Sequence, residues 1–138
     1  MDNIIIRKYK NTDFKETITL LKKNFQINDN ITNIEDNEFS FGIVATINNI
    51  VVGYTRVDKL KNIGKNCYYY YLNYICVDIN YQNQNIGTTM LKYILNRAKE
   101  NNINYIELTS KSSREAANHL YLKEGFTIKK TNVFNIKL

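Results

Sequence analysis

The chain has 138 residues, 43% of them hydrophobic and 23% charged, with a net charge of +6. That size and balance fit a single soluble globular domain, 1–138, with a core of its own. No apolar run approaches the length of a membrane span, and MDNIIIRKYK lacks the cleavage site of a signal peptide, so the expected compartment is the cytoplasm.

IIIRKY (4–9) reads as a short β-branched strand. Asp13 and Glu16 have the spacing of a capping box. Phe14, Ile18, Leu21 and Phe25 then recur at helical spacing, which predicts a helix over about 13–26. Residues 27–38 are polar and irregular, with room for a short helix around Ile31–Ile34. FSFGIVATI and IVVGYTRVD flank Asn48 and Asn49, a pair suited to a tight hairpin turn, and so predict antiparallel strands over 39–47 and 50–58. Proline is absent and asparagine is abundant. Asn tolerates positive φ, so the loops of this chain are expected to use Asn where other proteins use Gly.

NIGKN (62–66) is a loop. YYYYLNYICV (68–77) is the most hydrophobic stretch and is expected to be a central strand buried on both faces. Ile86, Met90, Leu91, Ile94, Leu95 and Ala98 form one apolar helical face, giving a helix over about 86–100. YIELTS (105–110) follows as a strand. Its β-helix-β connection implies parallel pairing with 68–77 and a right-handed crossover. Ser112 and Glu115 suggest a second capping box, and Gly125 a helix stop. FTIKK (126–130) and VFNIKL (133–138) are expected to close the sheet as two antiparallel strands.

Charge and cysteines narrow the chemistry. Residues 1–55 carry six Lys/Arg and seven Asp/Glu, whereas 56–138 carry thirteen and six. From Asn24 to Thr55 there is no basic residue, while Asp29, Glu35, Asp36 and Glu38 fall there. Scattered solvated charge accounts for this pattern. So does a basic half that holds an anion beside an acidic segment that faces a cation. Cys67 and Cys76 lie on or beside one expected strand, where nine residues span roughly 30 Å, beyond the reach of a disulfide. With a single histidine, no Cys/His metal cluster is expected.

The junction after 68–77 carries the functional signal. A strand that turns directly into a helix offers free N–H groups and the positive end of the helix dipole, a setting that suits phosphate. Gly87 allows close approach there, and Asn85 can do so in a left-handed conformation. VDINYQNQNIGTTML (77–91) resembles the acetyl-CoA loop of the GNAT N-acetyltransferase superfamily, here as Gln82-x-x-Asn85-x-Gly87 with Asn in place of the usual Gly. SREAANHLYLKEGF (113–126) resembles the closing motif of the same family through Asn118, Tyr121, Gly125 and Phe126. The two matches span roughly 70–126, and the order of elements agrees along the whole chain.

The resemblance implies an α/β GNAT acyltransferase fold, a mixed six- to seven-stranded sheet with helices on both faces. It implies that the pyrophosphate of acetyl-CoA, the cosubstrate, rests on Gln82, Asn83, Gln84, Asn85, Ile86, Gly87 and Thr88. The pantetheine arm is expected beside Ile75, Cys76 and Val77, in a gap towards 105–110, and against Asn118. The implied reaction is acetyl transfer to a primary amine by direct attack in a ternary complex. A thiolate leaving group titrates near ~8.5 and a tyrosine near ~10, which makes Tyr121 the expected proton donor. No general base stands out among Glu107, Asn73 and Tyr74, and His119 is expected to face solvent. A buried, inert Cys76 is the simpler reading of that thiol.

The acceptor is expected near 25–38 and 58–67. The acidic segment suits a small cationic amine or a lysine-containing acceptor. Neither a membrane nor a nucleic acid is an expected partner, because the tyrosines of 68–71 lie in a strand that reads as buried. The family often forms homodimers. The alternative reading is a non-catalytic acyl-CoA-binding module of the same fold.

Overall fold

The computed structural model describes residues 3–138. Among the described residues, five strands form one mixed sheet in chain order. β1 (Ile4–Lys8), β2 (Ser40–Ile47), β3 (Ile50–Asn62) and β4 (Cys67–Val77) are antiparallel to their neighbours. β5 (Ile106–Leu108) pairs with β4 in parallel, as the crossover through α2 (Ile86–Glu100) requires. α1 (Phe14–Asn24) follows β1, and α3 (Glu115–Lys123) follows β5.

Asparagine does much of the turning. Among the described residues, six of the seven non-glycine residues with positive φ are asparagines: Asn48, Asn49, Asn66, Asn83, Asn85 and Asn102. The hairpin between β2 and β3 uses the first two, at φ 49° and 64°. The seventh is Tyr74, inside β4.

The core has two sides. α1 sets Ile18, Leu20 and Leu21 against Val44, Val51, Tyr54 and Cys76. α2 sets Ile86 and Met90 against Ala45, Ile47 and Val52, and Leu91, Ile94 and Ala98 against Ile43, Val57, Tyr70 and Leu72. Val44 and Ala45 are neighbours in sequence yet belong to opposite clusters, as do Val51 and Val52. The two helices therefore cover opposite faces of the sheet.

Several expectations need correction. The sheet has five strands, not six or seven, because 126–130 and 133–138 form no ladder. β5 is only three residues long. It presents too few edge groups to fix the register of a further strand. β4 is not buried on both faces. Tyr70 and Leu72 are buried beneath α2, but Tyr69, Tyr71 and Asn73 are only half-buried. α1 has 11 residues, about 16 Å of helix, too short to cover strands of 11 and 13 residues. No helix forms at 31–34. Neither expected capping box forms, and α3 starts without a side-chain cap. Glu16 instead accepts a hydrogen bond from the Val51 amide at 2.6 Å. Gly125, at φ 100°, does end α3, and the Phe126 amide reaches back to the Tyr121 carbonyl at 3.0 Å.

Asp13 fastens β1 to α1. It is buried, accepts two hydrogen bonds from Arg7 at 2.8 and 2.9 Å, and accepts one from the Lys10 amide. The Arg7 guanidinium holds its carboxyl below the usual range, against the opposing effect of burial. Its contribution to stability is therefore complete above the unfolded value of ~3.9. It is lost as pH falls through the lower folded value. Asp13→Ala is expected to cost about 2 kcal/mol and to lower Tm by roughly 5–10 °C. Thermal melts from pH 7 to pH 2 are expected to show this gap narrowing as the wild type is acidified.

Candidate active site

The site begins with one extra residue in β4. Tyr54 pairs with Cys76 and Arg56 with Asn73, so two steps along β3 match three along β4. This bulge contains Tyr74 at φ 51°. A left-handed, non-glycine, aromatic residue costs roughly 1–3 kcal/mol. Its ring meets Phe25 edge-on at 5.2 Å, a contact that recovers part of that.

The bulge changes which residues face β5. Before it, the Tyr70 amide points to β5 and donates to the Tyr105 carbonyl at 3.1 Å, so the even positions face β5. After it, the Asp78 amide points to β3 and donates to the Val52 carbonyl at 2.8 Å. Alternation then turns Ile75 and Val77 away from β3, towards β5. The β4–β5 pairing stops at Leu72 and Leu108, however. A gap therefore opens beside Asn73–Val77, with the backbone groups of Ile75 and Val77 facing it. Cys76 is not brought to this gap. Its backbone pairs with Tyr54, and its side chain lies under α1. Burial pushes its thiol up to about 12, which leaves it unreactive.

The turn after β4 supplies amides. Asn83 and Asn85 both have positive φ, at 66° and 60°, and Asn85 caps α2 in the left-handed conformation without a side-chain hydrogen bond. The first intrahelical bond of α2 comes from the Thr89 amide to the Asn85 carbonyl at 2.9 Å. The amides of Ile86, Gly87 and Thr88 precede it and lack helical partners. Gln82, Asn83, Gln84 and Asn85 are exposed, and Ile86 is buried beneath the turn. Gly87 has a second reason to be glycine. A Cβ there would lie 3.0 Å from Leu120 Cδ2 on α3 and 4.0 Å from Val77 Cγ2. Gly87 thus lets α3 approach both the amides and the end of β4.

Tyr121 is buried on α3 and packs edge-on against Phe126 at 6.1 Å. Burial raises its hydroxyl above the usual value, and Arg114 offsets this in part. The phenol therefore keeps its proton at neutral pH. Asn118 ties down the loop before α3, with Nδ2 donating to the Lys111 carbonyl at 2.9 Å. His119 is exposed.

The side of the gap facing α1 is polar. Tyr71 Oη lies 3.0 Å from Thr109 Oγ1, and the Lys129 Nζ donates to Glu107 at 2.7 Å. Asn73 Oδ1 is buried without a hydrogen-bond partner among the described residues. The acidic segment turns out to be divided. Asp36 accepts from Arg56 Nη1 at 2.7 Å and from the Gly42 amide at 3.0 Å, while Arg56 Nη2 donates to the Glu35 carbonyl. Asp36 is thus structural. Glu38 lines a cavity of about 230 Å³ with Lys8, Tyr70 and Arg97, at the opposite end of α2 from the free amides. Asp29 and the Glu35 carboxylate remain exposed. Two features escaped the sequence. Arg56 neutralises Asp36 from across the hairpin, and Tyr74 adopts a conformation that nothing in its residue type favours.

The Acetyltransferase (GNAT) family model matches residues 5–126. No relative is found among curated proteins. Among solved structures, an aminoglycoside acetyltransferase from an uncultured soil metagenomic sample superposes with a TM-score of 0.86. It has 20% identity over 98% of this chain and 96% of that one. A ribosomal-protein-alanine N-acetyltransferase from Brucella melitensis gives a TM-score of 0.84, with 14% identity over 99% of both chains. A transcriptional regulator from Bacillus halodurans gives 0.82, with 17% identity over 99% of this chain and 100% of that one. At such identities these structures speak for the fold alone, but the family match extends from β1 through α3, and the chain belongs to the GNAT acetyltransferase family.

Proposed function

We propose that the protein is an N-acetyltransferase that moves the acetyl group of acetyl-CoA to a primary amine by direct attack in a ternary complex. The observation that carries this is the junction of two features. The β4–β5 ladder ends at Leu72 and Leu108, before Ile75 and Val77, and the turn that follows β4 leads into the three amides at the start of α2 that lack helical partners. One suits an extended, amide-bearing arm, and the other suits a pyrophosphate. The side chain of Cys76 lies outside the gap with its thiol pushed up to about 12, which favours direct transfer over an acyl-enzyme.

In this reading the backbone of Ile75 and Val77 holds the pantetheine arm as a neighbouring strand would. A backbone N–H of this stretch stabilises the charge that develops on the thioester oxygen. The amine nitrogen bonds to the carbonyl carbon, and the carbon–sulfur bond breaks. Tyr121 delivers its proton to the departing sulfur, a role that suits a phenol kept protonated by burial, and the proton that the neutral amine nitrogen sheds on forming the amide returns through water to Tyr121. Asn118 keeps the loop before α3 in place beside the gap. Glu107 is engaged with Lys129, so it is not a free base as the protein stands. Asn73, with its unpartnered buried oxygen at the bulge, is better placed to hold a water or the amine itself.

The acceptor proposed is a small cationic amine or a lysine-containing chain. Asp29 and Glu35 support this, being exposed carboxylates on the segment that follows Phe25, which packs on Tyr74. Two of the structures with this fold are named for aminoglycoside and ribosomal-protein-alanine acetylation, and both of those substrates present an amine.

Acetyl-CoA at about 100 times Kd is expected to stabilise the protein by about 2.7 kcal/mol, a rise in Tm on the order of 10 °C. Asn85→Gly should keep that rise, since Gly adopts the same left-handed turn, whereas Asn85→Val should lose most of it. No rise in the wild type at millimolar acetyl-CoA would end the acetyltransferase reading. With amine present, release of free CoA is expected from the wild type. Tyr121→Phe should lower kcat by roughly 10²-fold with acetyl-CoA affinity changed less than threefold. Binding without CoA release across a broad amine panel would favour the non-catalytic module. Asp29→Asn combined with Glu35→Gln should raise the amine KM several-fold and leave the KM for acetyl-CoA in place. An unchanged amine KM would remove the cationic-acceptor proposal alone.

A further inference from the structure

The last turn of α2 closes over a second recess in the sheet. Ile43, Val57 and Tyr70 point to the α2 face from β2, β3 and β4, and Ile94 meets them from the helix. These four make an apolar floor, with Ile43, Val57 and Ile94 each 2% exposed or less. Phe41 and Tyr93 form half-buried walls, and Phe41 meets Tyr70 edge-on at 6.0 Å. The cavity measures about 230 Å³. An apolar cavity of about 150 Å³ is enough to hold benzene, so this one has room for an aromatic ring and a small group attached to it.

Its mouth is cationic. Lys8 and Arg97 are exposed there, and Lys59 is half-buried beside them. Glu38 is the one acid that lines the cavity among the described residues, and it forms no ion pair with any of the three. Arg97 is held only loosely, 3.8 Å from Glu100. Lys8 lies over the Phe41 ring at 4.9 Å and Lys59 over the Tyr68 ring at 4.7 Å, so aromatic faces rather than carboxylates place both ammonium groups. Cations gathered at an apolar recess repel one another, and an anion between them removes that cost. The carbonyl end of α2 carries roughly half a negative charge, less than the surplus of cations, and the amides of Asn101, Asn102 and Ile103 take up its last carbonyls.

Tyr70 adds a donor. It is buried in the floor, yet its hydroxyl makes no hydrogen bond among the described residues, an arrangement that calls for a partner from outside the chain. Arg97 lies close enough to offset part of the rise that burial causes in this hydroxyl.

We propose that this cavity is a second ligand site, for a small aromatic anion. The ring lies on Ile43, Val57 and Ile94 between Phe41 and Tyr93, and its carboxylate or phosphate accepts hydrogen bonds at the mouth from Arg97 and Lys8. Glu38, at the same mouth, disfavours a second anionic group on the ring. Arg97 lies ten residues along α2 from Gly87, about 15 Å of helix. The site is therefore separate from the free amides, and the inference does not rest on the acetyl-transfer reading.

Two-dimensional amide NMR titrations of the full chain with benzoate and with phenyl phosphate test the site, with benzyl alcohol and benzylamine as neutral and cationic controls. At least one of the anions should move the amides of Ile43, Lys59 and Arg97 saturably, with a Kd of about 1 mM or tighter. Whichever anion binds more tightly identifies the charged group. Benzyl alcohol should bind about tenfold more weakly and benzylamine not at all. Lys8→Gln with Arg97→Gln should weaken the anion about tenfold and leave Tm within about 2 °C, since both side chains are exposed. Acetyl-CoA should change the Kd of the anion less than threefold. The proposal is overturned if neither anion gives saturable shifts by about 10 mM, or if benzyl alcohol binds equally well. Shifts gathered at 86–88, competition by acetyl-CoA, or an affinity untouched by the double substitution would each overturn it too.

Discussion

One inserted residue in β4 organises the working end of this protein. The bulge at Tyr74 reverses the alternation of the strand, so that Ile75 and Val77 face the β5 side where Tyr70 and Leu72 faced it before. It coincides with the point where β4 and β5 part company. Without the extra residue, Cys76 would turn its backbone to the gap, and Ile75 and Val77 would be spent on β3. The strain of a left-handed tyrosine is held by the strands on either side and by the edge-on contact with Phe25. The same residue therefore sets the backbone that faces the gap and supports the segment that leads away from α1.

α3 depends on this arrangement and completes it. Gly87 leaves out a Cβ that would crowd Leu120 Cδ2 at 3.0 Å, and α3 settles beside the start of α2. Tyr121 is carried into the core from there. Glycine at 87 thus serves helix packing as much as access to the amides, and the two needs reinforce each other. At position 85 the constraint is purely conformational. A left-handed residue is needed, and asparagine meets that need here as it does in the hairpin at Asn48 and Asn49.

The electrostatics divide along similar lines. A base-free acidic stretch looks like a binding surface only until the sheet forms. Arg56 lies one residue beyond that stretch, and β2–β3 pairing brings it back over Asp36, with Ser40, Tyr54 and the Glu35 carbonyl sharing the guanidinium. What stays open is smaller than the sequence suggests. Arg7 and Asp13 make a comparable internal pair between β1 and the start of α1. Both pairs are assigned to building the fold, which leaves Asp29, Glu35 and Glu38 outside any ion pair among the described residues, Glu38 at the cavity by Lys8 and Arg97.

Local rules were enough to read the hairpin, the α2 helix over 86–100, the glycine stop at 125 and the left-handed Asn85, because each depends on residues close in sequence. The two motifs around 82–87 and 118–126 were legible for the same reason, and they carried the family. The bulge at Tyr74, the early end of β4–β5 pairing, the capture of Asp36 by Arg56 and the half-covered outer face of β4 were not legible. Each is settled by which strands meet and how far a helix reaches across them. The last two expected strands show the difference most plainly. Their alternation is written in 126–138, but a strand exists only where another edge accepts its hydrogen bonds, and the three residues of β5 do not. The sequence by itself determined the local conformations and the apolar periodicities. Only the tertiary structure decided which backbone groups are left unpaired, because pairing is a property of two segments and never of one.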